Sequence, residues 1–356
     1  MTRQESLLSP LLWPLSLVYA AAALLRARAY RRGILQSRHL DGVVISVGNL
    51  TAGGTGKTPM VLWIAERLIS EVKKVGILTR GYRGQHTAAS PTDAASPPAA
   101  VSASDEVRLL QHRLANRASL GVGANRYERG RELEKLGVDW FVLDDGFQHL
   151  QLARDVDIVL IDATDPFSGG RLLPAGHLRE PRSALARADI IVITRASHAP
   201  AVESAARRDS TAPIFYARPR LDAVYSFSEG GRGNAVPSDA LRKLFAFCGI
   251  GNPAAFVADL HGWGLPVVGH KFFPDHHRYT EADDIEILRL AKEAGADGLI
   301  CTEKDLYNLR GIHRGKTPAF YCSISLQIDR ADEFWRAVLS IVESRVAART
   351  PVARQG

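Results

Sequence analysis

Short apolar runs alternate along this chain with segments whose apolar residues recur at helical spacing. Strands are predicted at 43–47, 74–80, 120–122, 140–143, 156–161 and 190–194, and helices at 60–69 and 105–115. Strands that are apolar throughout and alternate with helices are typical of parallel sheets covered on both faces. The pattern therefore predicts an α/β fold with a doubly wound, mostly parallel sheet.

A change of composition divides the chain. Gly, Ser, Asn and Pro become frequent around 219–239, which indicates a boundary, and a second α/β series follows it. Strands are predicted there at 244–248, 298–302 and 319–324, and helices at 253–260, 281–294 and 332–346. We therefore expect an N-terminal segment 1–35, a larger domain 36–218, a linker or hinge 219–242 and a smaller domain 243–356.

A glycine-rich run, VGNLTAGGTGKTP at 47–59, lies between the first predicted strand and helix. Backbone N–H groups of such a loop bind an anion at the helix N-terminus, which predicts a nucleotide phosphate site and makes the expected fold P-loop NTPase-like. Lys57 would reach the β- and γ-phosphates, and the Thr58 hydroxyl would bind Mg²⁺. The run has Thr51 where the G-x-x-x-x-G-K-[ST] motif begins with glycine, and a turn used only for close packing is the alternative. The residues predicted to bind ATP are Gly53, Gly54, Thr55, Gly56, Lys57 and Thr58.

Two adjacent acids, Asp144 and Asp145, end the apolar strand predicted at 140–143. Ligands of open parallel sheets bind at the carboxyl ends of the strands. One of the two carboxylates would hold Mg²⁺, directly or through water, beside Thr58. Paired acids also occur in solvated loops, but the phosphate loop upstream favours a metal site.

The N-terminus is apolar over 7–25, is interrupted by Pro10 and Pro14, and is followed by Arg26, Arg28, Arg31 and Arg32. A spanning helix needs about 20 uninterrupted apolar residues, and a signal peptide carries its positive charges before its apolar run. We predict an interfacial helix on anionic lipid, with packing on the protein's own core as the alternative. The net charge of +7 suits a nucleotide, a nucleic acid or a lipid surface equally.

The cysteines Cys248, Cys301 and Cys322 lie far apart in apolar runs and form no C-x-x-C pair. We expect them to be core residues of a protein from a reducing compartment.

Further motifs accompany the phosphate loop in a fixed order: TRGYRG at 79–84, GANR at 123–126, DDGFQH at 144–149, LLPAGHLREP at 172–181 and TEKD at 302–305. Together they resemble the tetraacyldisaccharide 4′-kinase (lipid A 4′-kinase) family over almost the entire chain. The loop of that family reads GNLTxGGTGKTP, so Thr51 is ordinary for it.

The resemblance implies an enzyme that transfers the γ-phosphate of ATP, with Mg²⁺, to the 4′-hydroxyl of an acylated glucosamine disaccharide 1-phosphate in lipid A biosynthesis. It implies a peripheral or monotopic protein on the cytoplasmic face of the inner membrane. The expected partners are the lipid substrate and the membrane surface, with no nucleic acid and no obligate protein partner.

The resemblance also implies the catalytic residues. Lys57 would act on the phosphates, and the base would be Asp105 paired with His276, which requires the two expected domains to close on the substrate. Asp105 could instead only favour a helix N-terminus, and the neighbouring His277 could be the functional histidine. Arginines that could hold ATP or the 1-phosphate of the substrate are Arg80, Arg126 and Arg179.

A membrane-associated ATPase switch of the partitioning type is the alternative function. Such proteins carry a signature lysine just before the two glycines of the loop, where this chain has Ala52. A nucleic-acid-dependent ATPase would need aromatic stacking motifs and a basic stripe, which the sequence lacks.

Overall fold

The computed structural model describes residues 5–81, 88–89, 104–228, 231–309 and 317–349. The loop predicted at 85–104 lies outside these residues except for 88–89 and Ser104. The helices are α1 Glu5–Arg31, α2 Lys57–Ser70, α3 Asp105–Leu114, α4 Arg126–Glu134, α5 Pro200–Arg207, α6 Pro253–Gly262, α7 Glu281–Glu293, α8 Glu303–Leu306 and α9 Ala331–Arg349. The strands are β1 Val43–Asn49, β2 Val75–Thr79, β3 Ala88–Ala89, β4 Ser119–Val122, β5 Trp140–Asp144, β6 Val156–Asp162, β7 Ile190–Thr194, β8 Ile214–Ser228, β9 Gly231–Val236, β10 Leu244–Cys248, β11 Val267–Phe272, β12 Gly298–Thr302 and β13 Ala319–Ile328.

The chain forms two compact units. Unit 1 takes the described residues within Met1–Ala103, Arg113–Arg218 and Gln327–Gly356, and unit 2 takes Ser104–His112 and the described part of Pro219–Leu326. The chain passes from one unit to the other inside α3, β8 and β13.

The sheet of unit 1 has the strand order β3-β4-β2-β5-β1-β6-β7-β8. Its pairs are parallel, apart from β3 with β4. Every residue of β6 and β7 is buried, because helices cover both faces. The predicted mostly parallel, doubly wound sheet is confirmed.

Helix α2 illustrates how the sequence builds this unit. Met60, Ile64 and Leu68 recur every four residues, are buried, and lie on one face of the helix. That face packs against β1 and β5, which holds the start of α2 at the end of both strands.

Unit 2 contains the parallel strand order β11-β10-β12-β13 and an antiparallel hairpin of β8 with β9. Side chains of β10 alternate between two cores: Phe245 and Phe247 pack with Ile287 of α7, and Ala246 and Cys248 pack with residues of α6. Cys301 and Cys322 are also buried, and all three cysteines are free thiols.

Three features differ from the division expected at 242/243. The segment expected as a linker, 219–242, contains most of β8 and all of β9. Helix α9, expected in the second domain, packs in unit 1, where Trp335 Nε1 donates to Glu71 Oε1 at 2.6 Å. The first residues of α3 belong to unit 2. Amphipathic patterns indicate that a helix has a buried face but not which core buries it.

Helix α1 is anchored through Ser16 and exposes several apolar side chains. Ser16 is buried and accepts a hydrogen bond from Ala175 N at 3.0 Å while donating to Leu172 O at 3.1 Å. The side chains of Trp13 and Val18 are 58% and 68% exposed. Within the described residues, no helix combines the length and the apolar character needed to cross a bilayer.

Candidate active site

The glycine-rich loop joins β1 to α2 through residues with left-handed backbone conformation. Gly53 has φ +140° and Gly56, the N-cap of α2, has φ +85°, a region that L side chains rarely adopt. Gly56 offers no side chain to cap the helix, so the first N–H groups of α2 are left for a ligand. Strand β7 anchors the loop, because the Thr194 hydroxyl donates a hydrogen bond to Thr55 O at 3.1 Å.

Lys57 is folded back over the loop. Its Nζ donates to Asn49 Oδ1 at 3.2 Å and to Gly53 O at 3.4 Å, and lies 3.6 Å from Asp145 Oδ1. Asn49 is fully buried and is itself anchored by donating to Thr51 O at 2.8 Å. The contacts of Lys57 are long, so its ammonium can exchange them for phosphate oxygens without losing short hydrogen bonds.

Asp144, the last residue of β5, and Asp145, which follows it, take different orientations. Asp144 is buried and accepts a hydrogen bond from the Thr79 hydroxyl of β2 at 3.0 Å. Asp145 has φ +52°, and its Oδ2 accepts from Arg179 at 2.6 Å. The left-handed residue thus turns one carboxylate toward Lys57 while its neighbour stays bound to the sheet.

Asp145 is ionised because cations surround it. Burial favours the neutral acid, but Lys57 and Arg179, with a smaller effect from Arg126, lower the pKa of Asp145 below its ordinary value. An ionised carboxylate is the form that a divalent cation requires.

The residues present fit a magnesium ion that is shared with a nucleotide. Buried oxygens without a hydrogen bond to any described residue include Thr55 Oγ1, Asp145 Oδ1 and Gln148 Oε1. Thr58 is half-buried and lies three residues after Thr55. Nowhere in the described part of the chain do three or more His, Cys, Asp or Glu side chains form a metal cage. Mg²⁺ is bound in proteins by one or two carboxylates plus substrate phosphates, which agrees with this donor set.

Asp105 and His276 meet within unit 2. His276 Nδ1 lies 3.0 Å from Asp105 Oδ1 and 3.1 Å from Oδ2. Asp105 is buried at the start of α3, where it also accepts from Glu106 N at 2.9 Å and from Asn308 Nδ2 at 3.2 Å. His276 has φ +60°, and its backbone N–H donates to Gly249 O at 3.1 Å. Because α3 begins in unit 2, both members of the pair lie in one unit, and the closure of the domains on the substrate stays a prediction.

The carboxylate and the imidazole shift each other's protonation. Burial would raise the pKa of Asp105, but the hydrogen bond with His276 and the charge of Lys304 outweigh it and lower the pKa. The hydrogen bond with Asp105 raises the pKa of His276, against smaller opposing effects of burial and Lys304. The two groups therefore titrate as a coupled pair.

His277 has a different environment from its neighbour. Its Nε2 lies 3.0 Å from Asp283 Oδ2, the carboxylate of the capping box of α7, and its ring stacks on Phe273 at 4.7 Å. The structure thus pairs Asp105 with His276 and uses His277 to anchor the helix that follows.

Sequence reasoning missed three residues of these sites. Asn49 holds Lys57, whereas Lys304 and Asn308 contact Asp105. The TEKD motif at 302–305 is the sequence signal that could have drawn attention to Lys304.

Comparison with known proteins gives one consistent result. The sequence model of one family, described as tetraacyldisaccharide-1-P 4′-kinase, matches residues 8–343. A tetraacyldisaccharide 4′-kinase of Pelobacter propionicus is 41% identical over 316 residues, which are 87% of this chain and 85% of that protein. The enzyme of the same name from Syntrophus aciditrophicus is 37% identical, with 92% of this chain and 91% of that protein covered. The crystal structure of LpxK from Aquifex aeolicus in complex with ATP superposes with a TM-score of 0.71 at 31% identity, covering 94% of this chain and all of that one.

The pKa values of two histidines should be shifted in opposite directions from the ordinary value of a histidine side chain. Burial, followed by Arg126 and Arg154, lowers the pKa of His149 to about 4, whereas the pKa of His276 is raised. NMR titration of the ring signals, assigned with His149→Gln and His276→Gln, measures both. Because the folded pKa of His149 is depressed, its contribution to stability is complete above pH 6.5 and is lost as the pH falls toward about 4. A His149 ring that becomes protonated at or above pH 6.5 contradicts this description.

Proposed function

The chain belongs to the tetraacyldisaccharide-1-P 4′-kinase family, and on that basis we propose how its residues carry out the reaction. The enzyme is an ATP-dependent kinase that phosphorylates the 4′-hydroxyl of a tetraacyldisaccharide 1-phosphate in lipid A biosynthesis. The observation that carries the proposal is the approach of Lys57 Nζ to within 3.6 Å of Asp145 Oδ1 above the glycine-rich loop.

The loop and the start of α2 hold the phosphates of ATP. The N–H groups of residues 53–58 donate to phosphate oxygens, aided by the positive end of the helix dipole. Lys57 leaves its long contacts with Asn49 and Gly53 and binds the β- and γ-phosphates. There its charge is stabilising as negative charge shifts onto the leaving ADP.

Thr58, Asp144 and Asp145 would hold Mg²⁺ beside the phosphates. When bound, the ion neutralises charge on the phosphate oxygens. Arg179 keeps Asp145 oriented through the 2.6 Å hydrogen bond, and its charge keeps that carboxylate ionised.

Asp105 and His276 form the base for the acceptor. As the 4′-oxygen bonds to the γ-phosphorus and the bond to the ADP oxygen breaks, the hydroxyl proton passes to the pair. His276 is the more exposed member, with 34% of its side chain accessible against 3% for Asp105. The buried carboxylate orients the ring through Nδ1 and stabilises the imidazolium that forms.

The lipid substrate explains the exposed apolar side chains of α1. Trp13, Leu15, Val18 and Leu25 are all more than half exposed, and the arginines at 26, 28, 31 and 32 follow them. The helix lies in the membrane interface with its arginines on anionic head groups, which makes the protein peripheral or monotopic on the cytoplasmic face of the inner membrane. The acyl chains of the substrate remain near the bilayer while its sugar is phosphorylated.

Phosphate transfer to lipid should depend on Lys57 and on Mg²⁺. With γ-labelled ATP and acylated disaccharide 1-phosphate in detergent micelles, we expect the label in the lipid fraction and its loss on addition of EDTA. Lys57→Ala should lower transfer by at least about 10²-fold, because a charge that stabilises the transition state is removed. Labelled free phosphate without labelled lipid would support the ATPase switch and contradict the kinase site.

Removing either member of the base pair should affect turnover more than nucleotide binding. Asp105→Asn and His276→Ala should each lower kcat by about 10²- to 10⁴-fold with the Kd for ATP nearly unchanged, because general base catalysis is lost. His277→Ala is the matched control: it removes the contact with Asp283 and should lower the thermal stability rather than kcat. If His277→Ala abolished turnover and His276→Ala did not, the base would have to be reassigned.

Membrane binding should depend on the exposed face of α1. The double variant Trp13→Glu and Val18→Glu should sediment with phosphatidylglycerol vesicles at least about tenfold less than the natural protein, because two apolar groups are lost from the interface. Val72→Glu with Leu136→Glu also replaces two exposed apolar side chains of unit 1 by Glu, outside α1, and serves as the control. Equal sedimentation of both double variants would exclude α1 as the membrane contact.

A further inference from the structure

Lys304, the second residue of the short helix α8, lies among three carboxylates. Its Nζ is 3.3 Å from Asp275 Oδ1, 3.5 Å from Glu106 Oε1 and 3.8 Å from Asp105 Oδ2. The side chain is 18% exposed. Burial disfavours the ammonium, but these carboxylates outweigh it and raise the pKa of Lys304, so the residue is charged.

These carboxylates come from the two segments that form the base pair. Asp105 and Glu106 begin α3, and Asp275 immediately precedes His276. A single ammonium therefore links the segment that supplies the carboxylate of the pair to the segment that supplies the imidazole. None of the three distances is a short hydrogen bond, so the interaction acts mainly through charge.

The next residue fixes α8 to the backbone beneath His276. Asp305 is buried and accepts from Gly249 N and from Tyr279 OH, both at 2.8 Å. Gly249 O in turn accepts from His276 N at 3.1 Å. These hydrogen bonds hold helix α8, and with it the backbone of Lys304, at a fixed place relative to the imidazole of His276.

The charges around His276 oppose one another. Asp105 from α3 and Asp275 from its own loop, 3.8 Å from Nε2, favour the imidazolium, whereas Lys304 from α8 disfavours it. An imidazole must be neutral to accept a proton. With Asp105 and Asp275 alone beside it, the ring would be protonated over more of the pH range in which the enzyme must act.

We propose that Lys304 is a positioning residue of the kinase, which joins α3 to the loop of His276 and limits how strongly the neighbouring carboxylates favour the protonated imidazole over the neutral, proton-accepting form. The inference rests on the proposed role of the Asp105–His276 pair as the base. In this proposal the ammonium acts through its charge on the pair.

The pH dependence of turnover tests the proposal. In Lys304→Met, the acidic limb of the kcat profile should move to higher pH by about one unit, because removing the cation raises the pKa of His276. Activity that is lost at neutral pH should return in alkaline buffer, and Lys304→Arg should keep the natural profile. Lys292→Met removes one exposed charge at the end of α7 and should leave the profile unchanged.

A direct titration separates this proposal from the one on which it rests. By NMR, the His276 ring of Lys304→Met should be protonated about one pH unit higher than in the natural protein, whether or not the pair is the base. An unchanged ring titration, or an activity loss equal at every pH, overturns the role of Lys304. Full activity of His276→Ala would instead overturn the base assignment. Lys304→Gln, which retains a polar donor, provides the same measurements if Lys304→Met does not fold.

Discussion

The parallel pairing of β1 with β5 is the constraint on which the phosphate site depends. In this register Val47 lies opposite Asp144, so the loop that leaves β1 and the acids that end β5 emerge at the same edge of the sheet. The 3.6 Å approach of Lys57 to Asp145 follows from that register. A slip by one residue would exchange the side chains that β1 presents to the two covered faces of the sheet, so packing on both faces maintains the register and with it the geometry of the site.

The two proposed sites use charge in opposite ways. In unit 1, cations including Lys57 and Arg179 surround the single carboxylate of Asp145 and keep it ionised. In unit 2, three carboxylates surround the single ammonium of Lys304, which limits how strongly they stabilise the imidazolium of His276. The first arrangement suits the binding of phosphate and a divalent cation, and the second suits a base that must stay neutral until it accepts a proton.

Strands whose residues are mostly apolar were predictable, and strands with mixed patterns were not. Strands β6 and β7 are buried on both faces, and polar residues interrupt their apolar runs only at Asp157, Asp162 and Thr194. Strand β8 carries Arg218, Arg220 and Asp222 in its middle and was taken for a linker, and β11 alternates between half-buried and exposed residues. The unit to which α9 belongs also escaped prediction, because a sequence pattern records burial but not the partner that provides it.

The parts of the sites that lie in contiguous sequence motifs were predictable. The phosphate loop and the acids of β5 are contiguous motifs, whereas the surroundings of Asp105 come from segments at 105–106, 275–276 and 304–308 that only the fold brings together. The net charge of +7 gave no indication of either environment. Screening limits exposed charges to about 8–10 Å, so protonation at a site reflects its immediate neighbours rather than the sum over the chain. A basic protein can therefore hold the imidazole of His276 among carboxylates, and Lys304, which lies beside it, has a larger effect on its pKa than the cations elsewhere in the described residues.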